Sequence, residues 1–269
     1  MQLSIMGCGW LGQPLAQQLL QDGHDVVATC RSEDKKNQLE QLGLNTHIFN
    51  LGDSLRSKEM LDVLQTDVLI LNIPPGGKHI QADFFTQQMC ALVKEAKSLG
   101  TKRLLFISTT AVYGEVQGEI TERSPCQPTT LSAQAHLKIE HRIKETFGDD
   151  ASILRLAGLV GQQRHPASYL AAKVDLQNAL QKVNLVHQHD VIAAIKQIIQ
   201  LDHFGHVLHL SAHDHPTREA YYRWACAQLN LTLPRFIHTA DDKTGKQINA
   251  QWTCEQLELQ LKYPSPYDM

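Results

Sequence analysis

The segment LSIMGCGWLG, residues 3–12, places the pattern G-x-G-x-x-G directly after a short apolar run. In a loop between a strand and a helix, each glycine of this pattern has its own task. Gly7 permits a tight turn, Gly9 lets the backbone approach a pyrophosphate, and Gly12 lets the helix pack closely on the strand. The segment therefore predicts a phosphate-binding loop at the start of an α/β fold.

The residues that follow have the pattern of a helix N-terminus. Leu11, Leu15 and Leu19 recur at helical spacing, and Pro14 falls in the first turn, where its missing N–H costs nothing. The free N–H groups at such a helix start, including those of Trp10 and Leu11, favour a bound phosphate together with the helix dipole. A tight turn without a ligand is the alternative, but the strand–loop–helix context favours a dinucleotide site.

Short apolar runs alternate with amphipathic segments along most of the chain, which is typical of a parallel sheet covered by helices. The predicted strands cover residues 3–6, 26–30, 47–50, 67–73, 103–109, 152–156, 183–187 and 207–211. Further helices are predicted over residues 33–42, 55–64, 79–99, 131–147, 190–201 and 217–229, and residues 165–182 have a less regular helical pattern.

This order predicts an α/β fold with a Rossmann-type, doubly wound parallel sheet and a small C-terminal substrate lobe. We expect residues 1–155 to form the dinucleotide-binding domain, with residues 188–212 returning to it. Residues 156–187 and 213–269 would then form the substrate lobe.

The composition excludes several function classes. The net charge is −3 with no block of like charges, which gives no support for nucleic-acid or membrane-surface binding. No apolar run is long enough for a transmembrane helix, and the N-terminus lacks the pattern of a signal peptide. Six scattered cysteines indicate reduced thiols, so we expect a cytoplasmic protein.

Histidines are frequent, with 14 in the chain. The densest group is His203, His206, His209, His213 and His215. Imidazole is a common metal ligand, but no cysteine or carboxylate cluster completes a coordination shell here. We therefore expect no metal site and interpret these residues as solvated surface histidines.

The end of the second strand should select between the two nicotinamide dinucleotides. An acidic residue there would bind a ribose 2′-hydroxyl and repel a 2′-phosphate. Arg31 and Ser32 occupy this place and can both donate to a phosphate, which favours NADP(H). NAD remains an alternative, because Glu33 and Asp34 follow closely and Arg31 could be a solvated loop cation.

Three further segments resemble one family. The sequence FISTTAVYG, residues 106–114, is similar to a motif of the extended short-chain dehydrogenase/reductases, the NAD(P)-dependent epimerase/dehydratase proteins. LRLAGLVG at residues 154–161 and NLVHQHD at residues 184–190 agree with it. With the segment RHP at residues 164–166 and the Tyr-Pro-Ser ending, the chain resembles most closely the atypical YeeZ-like group.

The resemblance implies roles for residues at several loops. Thr109 would polarise the substrate, and Lys138 would be the lysine of a Y-x-x-x-K motif, which holds the nicotinamide ribose. The remaining implied contacts are Asn50 near the adenine, Pro74 and Pro75 at the cofactor, and Arg155 and His187 near the substrate. The family also implies a homodimer through paired helices.

Two departures from the family pattern concern the chemistry. Met6 replaces the first glycine of the usual extended loop, and Gln134 occupies the position of the catalytic tyrosine. A carboxamide cannot exchange a proton as a phenol can. Tyr113 is a candidate proton donor, although this tyrosine more often packs and positions. A second Y-x-x-x-K, starting at Tyr169, lies after the wrong strand and is interpreted as chance.

Two hypotheses follow. The first is an NADP(H)-dependent enzyme of the epimerase/dehydratase type with altered acid/base groups, acting on a small molecule such as a sugar nucleotide or another carbonyl or alcohol compound. In this enzyme Lys138 would bind the nicotinamide ribose. Alternatively, Lys138 is a solvated helix residue, and Thr109 only ends a strand. The alternative is a non-catalytic, NAD(P)-binding or redox-sensing protein, which the replacement of the tyrosine favours.

Overall fold

The computed structural model describes residues 1–76 and 81–269. Its strands are β1 (Gln2–Met6), β2 (Asp25–Cys30), β3 (Asn45–Ile48), β4 (Val68–Leu71), β5 (Arg103–Thr109), β6 (Gly118–Ile120), β7 (Ala151–Leu156), β8 (Gly158–Val160), β9 (Leu185–His187), β10 (Val207–Leu210) and β11 (Lys246–Ile248). Its helices are α1 (Gly12–Gln21), α2 (Glu33–Glu40), α3 (Lys58–Leu64), α4 (Ala82–Leu99), α5 (Leu131–Phe147), α6 (Gln188–Gln200), α7 (Arg218–Gln228) and α8 (Gln251–Gln256).

Seven strands form one parallel sheet in the order β10-β7-β5-β4-β1-β2-β3. The chain runs outward from β1 through β2 to β3, and then returns to the other side of β1 with β4. The carboxyl ends of β1 and β4 therefore flank a topological switch point, where open α/β sheets bind their ligands. The predicted Rossmann-type fold is confirmed.

Apolar side chains cover both faces of this sheet. One layer packs α1, α6 and the end of the chain around α8 against the sheet, and the other packs α3, α4 and α5 against the opposite face. The central strands are buried on both sides, so their apolar residues occur in continuous runs. Packing on both faces fixes the positions of the carboxyl ends of the strands.

The remaining elements form a smaller lobe. Strands β8 and β9 pair in parallel, and α7 packs beside them over a separate apolar cluster around Tyr221. Strand β6 pairs with β11, so a segment from the sequence before residue 155 joins the C-terminal part of the chain. The simple boundary that we placed at residue 155 does not include this excursion.

The helix expected over residues 165–182 is absent, and this prediction was wrong. A short 3-10 helix covers Pro166–Tyr169. After it, Ala172, Asp175 and Asn178 have positive φ angles of 57–61°, a left-handed conformation that interrupts a helix. Backbone hydrogen bonds to Thr232 and Arg235 hold this segment instead.

Other boundaries differ by a few residues. The third strand lies at Asn45–Ile48, slightly earlier than predicted, while α5 has both of its predicted ends. The predicted start of α4 at residue 79 lies outside the described residues, and the described helix begins at Ala82. None of the described helices is long and apolar enough to cross a membrane.

Candidate dinucleotide-binding site

The glycine loop has the geometry that its sequence predicts. Gly7 has a φ of +96°, and a Cβ there would collide with the carbonyl of Asn72 on the loop after β4. The Asn72 side chain donates from Nδ2 to the Gly7 carbonyl over 3.0 Å. A Cβ on Gly12 would lie 2.7 Å from the same carbonyl. Both glycines are therefore needed for the close contact of loop, strand and helix.

The middle glycine faces open space. A Cβ on Gly9 would meet no heavy atom within 4 Å, and the residue is exposed. Within the described part of the chain, the N–H groups of Trp10, Leu11 and Gly12 donate to no protein acceptor. Free donors at the start of a ten-residue helix, beside a glycine without a side chain, form a cradle that fits a pyrophosphate.

A cleft of about 1160 Å³ extends from this loop across the edge of the sheet. Its lining residues are Gly7, Cys8, Gly9, Trp10, Leu11, Gln13, Thr29, Cys30, Arg31, Ser32, Lys35, Phe49, Asn50, Leu51, Asn72, Ile73, Pro74, Leu159 and Arg164. This set contains three cations, Arg31, Lys35 and Arg164, and no carboxylate. In a chain with a net charge of −3, such a lining favours a polyanionic ligand.

Two of the cations lie at the end of β2. Arg31 is exposed, and it forms no ion pair with any described residue. Ser32 caps α2, since its Oγ accepts the N–H of Lys35 at 3.4 Å. The Lys35 ammonium reaches back to Gln13 Oε1 at 2.5 Å and so lies at the cleft. We did not predict Lys35 from the sequence, and its contact with Gln13 is a result of the packing of α2 beside the glycine loop.

The predicted adenine and loop contacts lie at the same cleft. Asn50 and Pro74 line it, while Pro75 is half-buried and does not. Asn72 and Ile73, which we did not predict, line the cleft between Pro74 and the glycine loop. Their place directly after the buried strand β4 was the available signal.

Thr109 ends β5 and is half-buried. Its Oγ accepts the N–H of Ala111 at 3.1 Å, so the hydroxyl proton stays available for donation. Thr109 is not part of the lining of the 1160 Å³ cleft. Its place at the carboxyl edge next to β4 is nevertheless compatible with a substrate contact.

Lys138 does not lie on the buried face of α5, where the Y-x-x-x-K assignment would place it toward the sheet. Lys138 and Gln134 are exposed, on the side of α5 opposite to its buried residues, and Gln134 donates to the Pro128 carbonyl at 3.4 Å. Neither side chain points toward the sheet. The lysine and tyrosine positions that we assigned are therefore displaced from the inward face of the helix.

A different pair with the same spacing lies on the inner side of α5. His136 is buried against Phe85 and Phe106, and its Nδ1 donates to the Ser132 carbonyl at 2.8 Å. Burial lowers the pKa of His136, so its imidazole is neutral at physiological pH. In this register too, the position four residues before, Ser132, is not a tyrosine. The signal that we missed is the buried Glu140, which fixes the inner face of the helix.

Tyr113 is not available as a proton donor to the cleft. Its side chain is fully buried, and its hydroxyl lies 2.9 Å from Nδ1 of His209. His209 Nε2 donates to the Asn249 carbonyl at 2.7 Å, which leaves Nδ1 as the acceptor for the phenol. Burial raises the pKa of Tyr113 to about 12. The proposed catalytic role is therefore replaced by a structural one.

Arg155 is likewise committed to the interior. Its guanidinium forms a two-pronged ion pair with Glu140, with distances of 2.6 to 3.2 Å, and both side chains are buried. Ser108 donates to the same carboxylate at 2.5 Å, and the guanidinium stacks on the Tyr113 ring. Arg155 is not part of the cleft lining, so its predicted contact with a substrate stays a prediction.

His187 lies at the start of α6, away from the lining of the cleft. Its Nδ1 accepts the N–H of His189, and its ring stacks on Tyr263 with centroids 3.8 Å apart. Burial lowers the pKa of His187. The position leaves the predicted substrate contact untested.

The histidine group is not a uniform surface cluster. His209 is fully buried, contrary to our interpretation, whereas His203 and His206 stack on each other at 4.3 Å. Across residues 1–76 and 81–269, no three histidine, cysteine or acidic side chains are arranged to hold a metal ion. All six cysteines are free thiols.

Comparison with known proteins shows which family and which solved structures this chain resembles. Residues 4–206 match the NAD dependent epimerase/dehydratase family. Protein YeeZ of Escherichia coli K12 is 32% identical over 270 residues, covering 100% of this chain and 98% of its own length. The UDP-glucuronic acid 4-epimerase of Bacillus cereus, solved in complex with NAD, superposes with a TM-score of 0.79 at 17% identity, covering 100% of this chain and 94% of that one. A functionally unknown conserved protein from Silicibacter pomeroyi has a TM-score of 0.76 at 21% identity, with coverage of 99% and 95%.

Proposed function

The chain belongs to the NAD dependent epimerase/dehydratase family, and from that premise we propose that it binds NADP(H) and uses it in redox chemistry on a small carbonyl or alcohol compound. The observation that carries the proposal is the charge of the cleft, three cations and no carboxylate around an open glycine loop.

The preference for NADP(H) rests on the end of β2. A carboxylate there would select NAD by binding the ribose 2′-hydroxyl. Arg31, Ser32 and Lys35 instead supply two cations and a hydroxyl at that place. A charge-assisted contact to a 2′-phosphate contributes about 1.5–3 kcal/mol. The Bacillus cereus enzyme was solved with NAD, so the NADP(H) preference rests on the residues of this chain alone.

When bound, the cofactor supplies hydride transfer. The residues of this chain would then bind and orient the reactants. The glycine loop would hold the pyrophosphate, Asn50 and Pro74 would line the adenine side, and the Thr109 hydroxyl would donate to the reacting oxygen. On the inner side of α5 the Glu140 carboxylate is paired with Arg155, so His136 is the group that would exchange a proton with a substrate at its Nε2.

The substrate class is inferred from relatives. A structure of the Bacillus cereus enzyme with UDP-glucuronic acid and NAD suggests a sugar nucleotide, with other carbonyl or alcohol compounds as the wider class. The cofactor and the six free thiols fit a cytoplasmic location. A homodimer remains the expectation from the family.

A second candidate is an NADP(H)-binding sensor without catalysis. The arrangement of acid/base groups favours it, because Gln134 and Lys138 face solvent and the Tyr113 hydroxyl is bonded to His209. A positioned acid/base group contributes about 10²–10⁴-fold in rate. Its loss would leave binding intact and turnover very weak.

One experiment separates the two candidates. The protein is mixed with NADPH and simple carbonyl compounds, or with NADP⁺ and sugar nucleotides or alcohols. Absorbance of the reduced nicotinamide and chromatography of the sugar products report turnover, and calorimetry measures binding. Binding with turnover supports the enzyme, binding without turnover on any compound supports the sensor, and absence of binding overturns both.

A further inference from the structure

One cation of the cleft comes from outside the sheet. Arg164 follows β8 in the smaller lobe, yet it lines the cleft beside Trp10 of the glycine loop. Its guanidinium lies 5.2 Å from the centre of the Trp10 ring, a cation–π distance. Within the described residues it forms no ion pair. An exposed arginine without a carboxylate partner among the described residues thus lines the same cleft as the glycine loop.

The smaller lobe also fixes Trp10 itself. The indole Nε1 donates to the Gln162 carbonyl at 3.3 Å, and Gln188 Nε2 donates to the Trp10 carbonyl at 2.7 Å. A Cβ on Gly161 would come within 3.1 Å of the Trp10 ring, so the ring packs directly on this glycine. Contacts from residues 161 and 162 therefore hold the ring beside Arg164, and the contact from residue 188 holds the Trp10 backbone.

The backbone turn before Arg164 directs its side chain toward the glycine loop. The Arg164 N–H donates to the Gly161 carbonyl at 3.0 Å, and Gln163 between them has a φ of +61°. A left-handed conformation is costly for glutamine and persists only where the surroundings enforce it. The strained turn directs Arg164 back toward the glycine loop.

We propose that Arg164 is a pyrophosphate ligand supplied by the smaller lobe, with Trp10 as its positioning residue. The inference deepens the proposed function and rests on it. Arg31 and Lys35 lie at the end of β2, and Arg164 lies at the glycine loop, so the cleft has cations at two places. A ligand with a 2′-phosphate at one place and a pyrophosphate at the other satisfies both.

Such a ligand contact has a consequence for the lobe. Gly161 and Arg164 belong to the segment that leads into the 3-10 helix Pro166–Tyr169, and Gln188 begins α6. A pyrophosphate bound by Arg164 would therefore add one more contact between the lobe and the glycine loop, which already meet at Trp10.

The test compares two nucleotides that differ only in the 2′-phosphate. Calorimetric Kd values for NADP⁺ and NAD⁺ are measured for the native protein, Arg164→Gln, Arg164→Lys and Arg31→Ala. A charged contact to the pyrophosphate predicts that Arg164→Gln weakens both nucleotides by about tenfold to a hundredfold and leaves their ratio unchanged. Arg164→Lys should recover part of the loss, whereas Arg31→Ala should weaken NADP⁺ alone.

Two further variants test the geometry. Trp10→Ala should weaken the binding of both nucleotides as Arg164→Gln does. It should add little to Arg164→Gln in the double variant, because the two residues act through one contact.

Arg123→Gln is the matched control, since Arg123 is also exposed but lines a separate cavity of about 510 Å³. Adenosine 2′-monophosphate has no pyrophosphate, so its Kd should be the same for Arg164→Gln and the native protein.

Several outcomes overturn the inference. If Arg164→Gln leaves both Kd values unchanged while the native protein binds NADP⁺ tightly, Arg164 is no ligand and the proposed function stands alone. If it weakens NADP⁺ only, the residue serves the 2′-phosphate instead. If the native protein binds neither nucleotide, the proposed function fails and this inference with it.

Discussion

The hydroxyl of Tyr113 lies 2.9 Å from Nδ1 of His209, and neither side chain is exposed to solvent. This pair joins the end of β5 to the edge strand β10. Thr253 extends the network, because it accepts the His209 N–H at 3.1 Å and donates to Glu122 at 2.6 Å. The tyrosine of the FISTTAVYG segment thus joins Thr110–Tyr113 to the edge strand, and it is not part of the cleft lining.

Tyr113→Phe should therefore affect stability and leave nucleotide binding intact. The substitution leaves the buried Nδ1 of His209 without a donor, which costs about 1–3 kcal/mol. Urea unfolding should show this loss, and the Kd for NADPH should stay at the native value. A loss of binding in a protein with native stability would return Tyr113 to the cofactor site.

Stability should also fall in mild acid. Burial lowers the pKa of His209, with Glu122 and Arg155 as the charged groups facing it. The unfolded histidine takes up a proton below about pH 6.5, before the folded one does, so protonation favours the unfolded chain. The free energy of unfolding should be greatest above that pH and fall as the pH drops toward the folded-state pKa.

His209→Gln should make this fall shallower, since it removes one of the buried histidines that titrate. His136 and His215 have pKa values lowered by burial as well, so part of the fall should remain. Urea unfolding at several pH values measures the slope. An equal slope in His209→Gln and the native protein would mean that His209 does not titrate differently in the two states.

Glu140→Gln should destabilise the fold strongly. The Arg155 guanidinium is bonded to the Glu140 carboxylate in a buried pair with side chains 7% and 2% exposed. Removing the negative charge leaves a buried cation uncompensated, which costs about 3–5 kcal/mol. Glu145→Gln, on the same helix in an exposed pair with Arg142, is the control and should cost about 0–1 kcal/mol. Similar losses in both variants would show that Arg155 finds another partner.

Gly9→Val should abolish NADPH binding without unfolding the protein. No heavy atom lies within 4 Å of a Cβ at this position, so the fold can accept a side chain that enters the space of the pyrophosphate. Fluorescence titration measures binding, and the melting temperature reports folding. Gly9→Ala, with a smaller side chain, should weaken binding less. A folded Gly9→Val protein that binds NADPH normally would place the pyrophosphate elsewhere.

A further prediction concerns Gln134 and Lys138 on the solvent-exposed face of α5. Gln134→Tyr and Lys138→Ala should change neither the Kd for NADPH nor any hydride transfer, because both positions point away from the sheet. Steady-state assays with NADPH and the carbonyl panel test this. Increased carbonyl reduction in Gln134→Tyr would restore our first alignment of the Y-x-x-x-K motif.

The sequence carried local signals for much of the fold. The glycine loop and α5 were predicted closely because strand, cap and glycine signals lie within a few residues, such as Thr130 and Gly148 at the two ends of α5. Residues 165–182 lacked such signals. Their left-handed residues are not glycines, and their backbone partners lie some 60 residues later in the chain.

The site residues also divide into those that local sequence signals predict and those that depend on packing between distant segments. Those on the glycine loop and at the end of β2 could be predicted, because local spacing places them. The inner face of α5 could not, since an exposed Gln134–Lys138 pair and an inward Ser132–His136 pair have the same spacing. The burial of Glu140 depends on Arg155 from another strand, and Arg164 reaches the cleft only through the packing of the smaller lobe.

The central claim is that the cations at the end of β2 select NADP(H). Calorimetric titration of the native protein with NADP⁺ and NAD⁺, beside Arg31→Ala, tests it most directly. Arg56→Ala is the control, because Arg56 is an exposed arginine paired with Glu95 outside the cleft lining. The account predicts that NADP⁺ binds about ten- to a hundredfold more tightly than NAD⁺ and that Arg31→Ala, but not Arg56→Ala, removes most of the difference. Native protein that binds NAD⁺ as tightly as NADP⁺ would contradict it.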